Sequence, residues 1–365
     1  MSVSRITVKP ASQAMKGRGT ALNPSNRFEA AHLGAFDDGW DHQEEAARPH
    51  TNLIKDATRS IITRNDSPDL PFGSSINPYR GCEHGCIYCF ARPSHAYLGF
   101  SAGLDFETKI IFKPEAPRLL EKELSRPGYK PDIIVLGSNT DPYQPVERTL
   151  GLTRAILEVL ERFNHPVGII TKSANVVQDS DILARMSAKG QARVYVSITT
   201  MLPALARAME PRASSPKRRQ ATISALAQAG IAVGVMTSPM IPGLNDSELE
   251  TILEQAAQGG ARSAAMALLR LPHELGDLFT DWLQQYMPDR AAHVLSLIRQ
   301  TRSGALNNAD FHQRFLGNGP YAALLIQRFQ KTIKRLGLNK SEVKFDMSQF
   351  RVPGHTPASL QMNLF

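Results

Sequence analysis

The feature that most constrains the fold of this chain is a series of short, continuously apolar runs. Four of them read IIVL, VGII, VYVSI and AVGVM. Strands that are buried on both faces have this pattern, which is typical of a parallel sheet. The sequence predicts strands at residues 76–79, 109–112, 132–136, 167–171, 193–198, 232–237 and 264–269.

Helical segments separate these strands. Residues 146–163 carry an apolar stripe, Asp179 or Ser180 is placed to cap a helix that stops before Gly190, and another segment ends at Gly230. Repeated strand–helix units imply right-handed crossovers. They predict an α/β fold built as a partial (β/α)6 TIM-type barrel, although a flat doubly wound sheet satisfies the same pattern.

The periodicity changes along the chain and predicts four regions. Residues 1–70 are polar without sustained periodicity and form an N-terminal extension, 71–272 form the barrel core, 273–345 form a C-terminal helical cap, and 346–365 form a flexible tail.

All three cysteines of this 365-residue chain lie in the stretch GCEHGCIYCF, as Cys82, Cys86 and Cys89 in C-x3-C-x2-C spacing. Thiolates in so short a loop converge on one point. They are one fewer than the usual four ligands of a structural zinc or iron–sulfur site, so one coordination position is open. The alternative is a Cys3His zinc site, with His84 or His95 as the fourth ligand, in a non-catalytic nucleic-acid-binding protein.

Together with Tyr88, which precedes the last cysteine, these residues resemble the signature of the radical S-adenosylmethionine superfamily. The resemblance implies that Cys82, Cys86 and Cys89 hold a 4Fe–4S cluster whose remaining iron binds S-adenosylmethionine. Reductive cleavage then yields methionine and a 5′-deoxyadenosyl radical that abstracts a substrate hydrogen. A flavodoxin or ferredoxin is the implied electron donor.

Functional residues of parallel α/β folds lie where strands end at their carboxyl termini. Ser138, Thr140 and Asp141 follow IIVLG within SNTDPYQPVE. The segment resembles the DPYQPxE signature of proteins related to spore photoproduct lyase, in which this strand end binds the methionine part of S-adenosylmethionine. The alternative is that Asp141 forms an Asx-turn and caps the next helix.

Two later strand ends carry further candidates. Lys172 follows VGII, and its ammonium group needs a partner such as the carboxylate of S-adenosylmethionine, unless it reaches solvent. Ser197 is expected to bond the cofactor's ribose or carboxylate, or its own sheet. The stretch PMIPGLNDSE resembles the superfamily's G-x-I-x-G-x-x-E pattern, in which the apolar residue, here Ile241, packs on adenine; Pro239 and Asp246 replace the first glycine and the glutamate.

The cysteine count bears on the substrate. Spore photoproduct lyase, which the cluster loop resembles, uses a further cysteine to return a hydrogen atom, and this chain has no fourth cysteine. A reaction of that kind would need a tyrosine in its place, Tyr97 or Tyr143. The overall resemblance is to bacterial radical S-adenosylmethionine proteins grouped as repair-photolyase-like.

Charge and hydropathy indicate the kind of partner and the cellular location to which the protein is suited. The net charge of +8 and pI of about 9.4 favour anionic partners such as nucleic acid. Residues 299–344 contain nine lysines and arginines but only two acidic residues, Asp310 and Glu342. This local excess of positive charge is also typical of a solvated amphipathic helix. No apolar run approaches the ~20 residues of a membrane span, and no signal sequence begins the chain, so a cytoplasmic location without membrane contact is expected.

The last five residues, QMNLF, resemble the Q-x-x-L-F motif by which bacterial replication and repair proteins bind the DNA sliding clamp. Gln361 would bond the rim of the clamp pocket, and Leu364 and Phe365 would fill it. We predict that a labelled peptide of residues 352–365 binds purified clamp with Kd of tens of micromolar or tighter. Equal binding by a Leu364→Ala, Phe365→Ala peptide would contradict the motif.

Overall fold

A computed structural model describes residue 15 and residues 17–28, 50–340 and 345–354 of the chain. Within them, ten strands form two sheets. In chain order the strands are β1 Asn52–Lys55, β2 Thr63–Arg64, β3 Ser74–Ile76, β4 Tyr79–Arg80, β5 Lys109–Phe112, β6 Ile134–Leu136, β7 Val167–Thr171, β8 Ala192–Ser197, β9 Ala232–Met240 and β10 Ser263–Leu268.

The larger sheet has the order β10-β9-β8-β7-β6-β3-β2. Its six strands β3 and β6 to β10 are parallel, and each pairs with the next of these six along the chain. A doubly wound sheet reverses its strand order at a switch point, whereas this order runs in one direction. The predicted partial (β/α)6 arrangement is therefore confirmed, in an open rather than a closed barrel.

Two predicted strands lie elsewhere. Residues 76–79 contain the end of β3 and the start of β4, separated by Asn77 and Pro78, because proline cannot donate a ladder hydrogen bond. Residues 109–112 form β5 as predicted, but β5 belongs to a small sheet with β1 and β4. The apolar run alone did not distinguish the two sheets, because β5 is also largely buried.

Eleven α-helices accompany the strands in the described residues. They are α1 Asp105–Thr108, α2 Ala116–Leu124, α3 Glu147–Leu150, α4 Leu152–Arg162, α5 Ser180–Ala188, α6 Pro203–Met209, α7 Pro216–Gln228, α8 Leu249–Gln258, α9 Leu275–Tyr286, α10 Pro288–Gln300 and α11 Gly319–Leu336.

Two helix predictions need correction. The predicted helix at residues 146–163 is divided into α3 and α4 at Gly151, whose φ of 61° is left-handed and closes the first helix. Asp179 precedes α5 but makes no capping hydrogen bond. Its carboxylate instead accepts a hydrogen bond from Tyr143 and pairs with Arg154. Side chains, rather than the backbone amides of α5, therefore satisfy this carboxylate.

The C-terminal helical cap has two parts. Helices α9 and α10 share a hydrophobic cluster with the cysteine-bearing loop, including Ile87 and Trp282. Helix α11 instead lies on α8, and Leu325 and Phe329 join the main barrel core. Its arginines Arg328 and Arg335 pair with Glu250 and Glu254 of α8, so part of the predicted basic surplus is neutralised within the fold.

The described parts of the N-terminal extension pair with strands of both sheets and contact the cysteine-bearing loop. Strand β1 adds in parallel to β5, and β2 adds antiparallel to β3 at one edge of the large sheet. The segment 17–28 lies across the cysteine-bearing loop: a Cβ atom at Gly19 would stand 1.8 Å from the carbonyl oxygen of Gly85. This glycine permits a backbone contact that no other residue allows.

The sequence predicts a flexible tail from residue 346, yet Phe350 and Val352 pack on the main core, at the amino end of the strands. The ring of Phe350 lies 5.5 Å from Tyr129 and 5.7 Å from His165. Gln361, Leu364 and Phe365 lie outside the described residues. Among the described helices, none is long and apolar enough to cross a membrane.

The packing of α11 on α8 generates a stability prediction. Leu325 is fully buried, whereas its neighbour Leu324 is 49% exposed on the same helix. Leu325→Ala should lower the free energy of unfolding by about 2–5 kcal/mol, because a buried leucine is replaced by a cavity. Leu324→Ala should change it by less than about 0.5 kcal/mol. Urea unfolding followed by circular dichroism measures both, and equal effects would contradict this docking.

Candidate functional site

The cysteine-bearing loop follows β4 and leads into a 3-10 helix, Arg92–Leu98. Its backbone is fixed by local bonds: the Cys82 amide donates to the Phe106 carbonyl at 2.9 Å, and the Cys89 amide donates to the Cys86 carbonyl at 3.2 Å. Gly85 has a φ of +67°, and an added Cβ there would stand 2.7 Å from the Glu107 carboxylate. The loop is thus tightly wound and closely packed from outside.

The three thiols form a donor set that fits an iron–sulfur cluster. All are free; Cys82 and Cys86 are buried, and Cys89 is partly buried. Burial raises the pKa of Cys86 to about 12 and that of Cys82 well above its usual value, and neighbouring thiols contribute to both shifts. Thiols this close and this poorly hydrated are stabilised as thiolates by a bound metal centre, and soft thiolates suit iron–sulfur clusters.

A buried ion pair between Arg92 and Glu107 supports the cysteine-bearing loop. Arg92 donates to the Cys86 carbonyl at 2.9 Å and pairs with Glu107, and both side chains are fully buried. Glu107 also accepts the Gly19 amide at 2.9 Å, and its carbonyl accepts from Arg18 at 2.8 Å. The segment 17–28 is therefore part of the wall of this site.

A second set of contacts joins the loop to the end of β6. Gln144 accepts the Glu83 amide at 2.8 Å and donates to the Gly81 carbonyl at 3.2 Å. In return, the Glu83 carboxylate accepts the Val146 amide at 2.7 Å. Part of the DPYQPVE segment thus fixes the position of the cysteine loop.

Asp141 connects three elements. Its carboxylate accepts from the Thr171 hydroxyl and the Lys172 amide, both at 2.7 Å, and lies 3.3 Å from His84 Nδ1. It also accepts the Tyr143 amide at 2.9 Å, as the predicted Asx-turn requires. Burial alone would raise the pKa of Asp141, but His84 and these donors lower it to about 2. Asp141 is thus an ionised connector between β6, β7 and the cysteine loop.

Ser138 and Thr140 lie at the same strand end. The pairing of β6 with β7 ends at Leu136 opposite Ile169, and both residues follow that point. The Thr140 hydroxyl donates to the Tyr79 carbonyl at 2.8 Å, and the Ser138 hydroxyl is 3.4 Å from Asn77. Thr140 is buried and its hydroxyl is bound to a backbone carbonyl, whereas Ser138 is partly exposed.

Tyr88 is oriented by a buried network that the sequence did not reveal. Its hydroxyl donates to Glu210, which also pairs with Arg219 and accepts from Thr199 at 2.7 Å. Burial raises the pKa of Tyr88 well above its usual value; burial also acts to raise that of Glu210, but Arg219 and Lys172 lower it. A neutral tyrosine thus donates to an ionised glutamate.

Lys172 lies beside this network. Its ammonium nitrogen is 5.7 Å from the centroid of the Tyr88 ring, on the side of Cys86. In the part of the chain that the structure describes, no carboxylate lies within ion-pair distance of this ammonium group. It is partly exposed and available to an anionic ligand.

Ser197 and Ile241 are more deeply buried than Lys172. Ser197 is buried at the end of β8, and its carbonyl accepts from Arg219 at 3.0 Å. Ile241 is fully buried in the hydrophobic cluster that contains Cys86 and Tyr88, and its amide donates to the Asn245 side chain at 2.7 Å. Ile241 is thus part of the apolar wall around the cysteine loop.

The two candidate tyrosines are not brought together. Tyr97 is 74% exposed on the 3-10 helix after the loop, and its ring lies 5.2 Å from that of Phe28 in a tilted arrangement. Tyr143 is fully buried in the main core, and its hydroxyl donates to Asp179 at 2.9 Å. Of the two, only Tyr97 has a hydroxyl at the surface.

The histidines of the zinc alternative are engaged elsewhere. His84 faces Asp141, and His95 Nε2 lies 3.0 Å from the Lys109 carbonyl oxygen. Within the described ranges, no three His, Cys, Asp or Glu side chains converge closely enough to hold a single metal ion. A cluster requires a wider arrangement, because each thiolate binds a different iron.

Glu210, Arg219, Arg92 and Glu107 are the supporting residues that sequence reasoning missed. Glu210 and Arg219 lie in the segment MEPRASSPKRR, whose composition is typical of an exposed segment, yet both are buried. Glu248 was also missed: it accepts from the Thr200 hydroxyl and the Met201 amide. Asp246, at the predicted glutamate position, instead accepts from Tyr321 of α11.

Comparisons with known structures show the same fold. A cysteine-to-serine mutant of spore photoproduct lyase superposes with a TM-score of 0.55 at 17% identity, covering 78% of this chain and 80% of that one. The same enzyme complexed with dinucleoside spore photoproduct gives 0.56 at 16% identity, with the same coverage.

Sequence comparisons are closer. An uncharacterised protein from Mycobacterium tuberculosis is 34% identical over 253 residues, which are 69% of this chain and 74% of that protein. One from Methanocaldococcus jannaschii is 28% identical over 196 residues, 54% of this chain and 70% of that protein. The profile of the Radical SAM superfamily matches residues 76–256, which span the cysteine loop and strands β6 to β9. The chain therefore belongs to the radical S-adenosylmethionine superfamily and is a radical S-adenosylmethionine enzyme.

Proposed function

We propose that Cys82, Cys86 and Cys89 hold a 4Fe–4S cluster on which S-adenosylmethionine is cleaved reductively. The observation that carries the proposal is the placement of all three cysteines of the chain on one loop that hydrogen bonds tie to the carboxyl ends of the parallel strands β6 and β7. When bound, the cluster supplies the electron for this cleavage, and the fragment of the cofactor abstracts a substrate hydrogen.

The protein's own residues would position S-adenosylmethionine. Lys172, whose ammonium has no carboxylate within ion-pair distance in the described structure, is the proposed ligand of the cofactor carboxylate. Asp141 would act through Lys172, because it holds the Lys172 amide. Tyr88 and Ile241 form the apolar wall, and Ser138 offers a partly exposed hydroxyl.

Thr140 and Ser197 have a more limited proposed role. The Thr140 hydroxyl is already bound to a carbonyl, and Ser197 is buried with its carbonyl held by Arg219. Both would fix the strand ends rather than contact the cofactor through free hydroxyl groups. The proposed contacts therefore centre on Lys172 and the Tyr88 face of the loop.

Nucleic acid is the substrate class that we favour. The fold is shared with an enzyme whose structure holds a dinucleoside lesion, and this chain carries a net charge of +8. The lesion itself is a less suitable substrate because no fourth cysteine is present to return a hydrogen atom. Tyr97, with its exposed hydroxyl, is a better candidate for that role than the buried Tyr143. A flavodoxin or ferredoxin remains the proposed electron donor.

The first test is of the cluster. Protein reconstituted anaerobically should bind about four irons per chain, absorb broadly in the visible region, and form 5′-deoxyadenosine with S-adenosylmethionine and dithionite. Cys86→Ala should prevent full iron loading, because the described structure holds no spare thiol. A Cys86→Ala protein that keeps its iron and its spectrum would refute the assignment.

The second test is of the cofactor site. Lys172→Ala should leave iron loading unchanged but weaken S-adenosylmethionine binding at least ~10-fold, because a charge-assisted hydrogen bond is lost. Equilibrium dialysis measures the affinity. Lys189→Ala, which removes an exposed lysine at the opposite end of the barrel, is the matched control. Equal affinities of the two variants would remove Lys172 from the site.

A further inference from the structure

Aromatic rings and guanidinium groups alternate beside the third cysteine. The Arg270 guanidinium lies 4.5 Å from the ring centroid of Phe90, which directly follows Cys89, and 5.0 Å from that of Phe315. The Arg314 guanidinium lies 4.9 Å from Phe315 and 5.0 Å from Phe311. We call these five residues the aromatic–arginine ladder.

A buried arginine holds the ladder in place. Arg302, only 1% exposed, donates to the carbonyl oxygens of Leu269 at 2.7 Å and Arg314 at 2.9 Å. The amide of Leu268, the last residue of β10, donates to the Phe315 carbonyl at 2.7 Å. The loop that carries Phe311, Arg314 and Phe315 is therefore fixed against the carboxyl end of β10, where functional residues of this fold lie.

The charges of the ladder are only partly compensated. Arg314 Nε is 2.7 Å from the Asp69 carboxylate. Arg270, in contrast, is partly buried between two rings, and among the described residues no carboxylate lies within ion-pair distance of it and no acceptor within hydrogen-bond distance. A cation in this position is suited to an anion that arrives from outside.

The two ends of the ladder are open. Phe90 is 41% exposed and Phe311 is 54% exposed, so each presents ring surface to a ligand. A different cluster serves as a contrast: Arg27 contacts the rings of Phe28 and Tyr97, but its charge is satisfied by Glu274 at 2.8 Å. Only the ladder combines exposed rings with an unsatisfied guanidinium group, among the described residues.

We propose that the aromatic–arginine ladder binds single-stranded nucleic acid, with bases stacked on Phe90 and Phe311 and a phosphate on Arg270. Exposed rings that alternate with cations match the recognition of unpaired strands, since bases in a duplex offer no free face. A base on Phe90 would lie beside Cys89. The inference rests on the proposed function for its purpose, because it names the substrate class, but the binding itself does not require the cofactor to be cleaved.

The test is fluorescence anisotropy with the full-length reconstituted protein and a labelled oligothymidylate of about 12 nucleotides. The wild-type protein should bind it more tightly than the matching duplex. Arg270→Gln should weaken binding about 10-fold and lower the salt dependence of log Kd by about 0.7, the amount expected for one lost phosphate contact on a single strand. Arg335→Gln removes the same charge from α11 and should change neither quantity.

Substitutions at Phe311 separate stacking from apolar contact. Phe311→Leu should weaken binding about 10-fold, whereas Phe311→Trp should retain it, because stacking requires a π face. Phe311 is exposed, so neither change should disturb folding, which circular dichroism checks. A peptide-binding surface would accept leucine as readily as tryptophan, and that result would overturn the proposal.

The remaining outcomes also decide. Equal affinity of the wild-type, Arg270→Gln and Phe311→Leu proteins for the oligonucleotide would overturn the proposal, as would preferential binding of duplex. If Arg270→Gln alters the visible spectrum of the cluster but not the oligonucleotide affinity, Arg270 serves the cluster and the proposal fails. Formation of 5′-deoxyadenosine, assayed on the same preparations, reports separately on the proposed function.

Discussion

The buried ion pair between Arg92 and Glu107 is the interaction on which the candidate site most depends. Both side chains are fully buried, and the pair joins the cysteine loop to the segment 17–28. Removing one member of such a pair leaves an uncompensated charge and typically costs about 3–5 kcal/mol. In the same arrangement, Arg92 Nε donates to the Cys86 carbonyl and so links the pair to the cysteine loop.

Two further buried carboxylates fix the loop from its other sides. Asp141 joins it to the ends of β6 and β7 through His84, Thr171 and Lys172, and Glu210 holds Tyr88. Each carboxylate is satisfied by several donors, which compensates the cost of its burial. The result is a firmly held loop between two cations, Lys172 and Arg270, neither of which has a carboxylate within ion-pair distance in the described chain.

These two cations suggest a division of the site. Lys172 lies on the Tyr88 side of the loop, near Cys86, where the proposed cofactor would bind. Arg270 lies on the Phe90 side, after Cys89, where the ladder leads outward to Phe311. Cofactor and substrate would thus approach the thiols from different sides, and each would be bound by a different cation of the protein.

The sequence by itself determined the parallel sheet, the positions of most strands and the cysteine loop, because continuous apolar runs and short-range cysteine spacing are local properties. It also located Asp141 and Lys172, which follow strand ends. Only the tertiary structure assigned residues 109–112 to a second sheet, divided the helix at Gly151, paired Arg92 with Glu107, and brought Glu210 and Arg270 to the loop. Glu210 and Arg270 are distant in sequence from the loop, and their positions arise from long-range packing that no local pattern encodes.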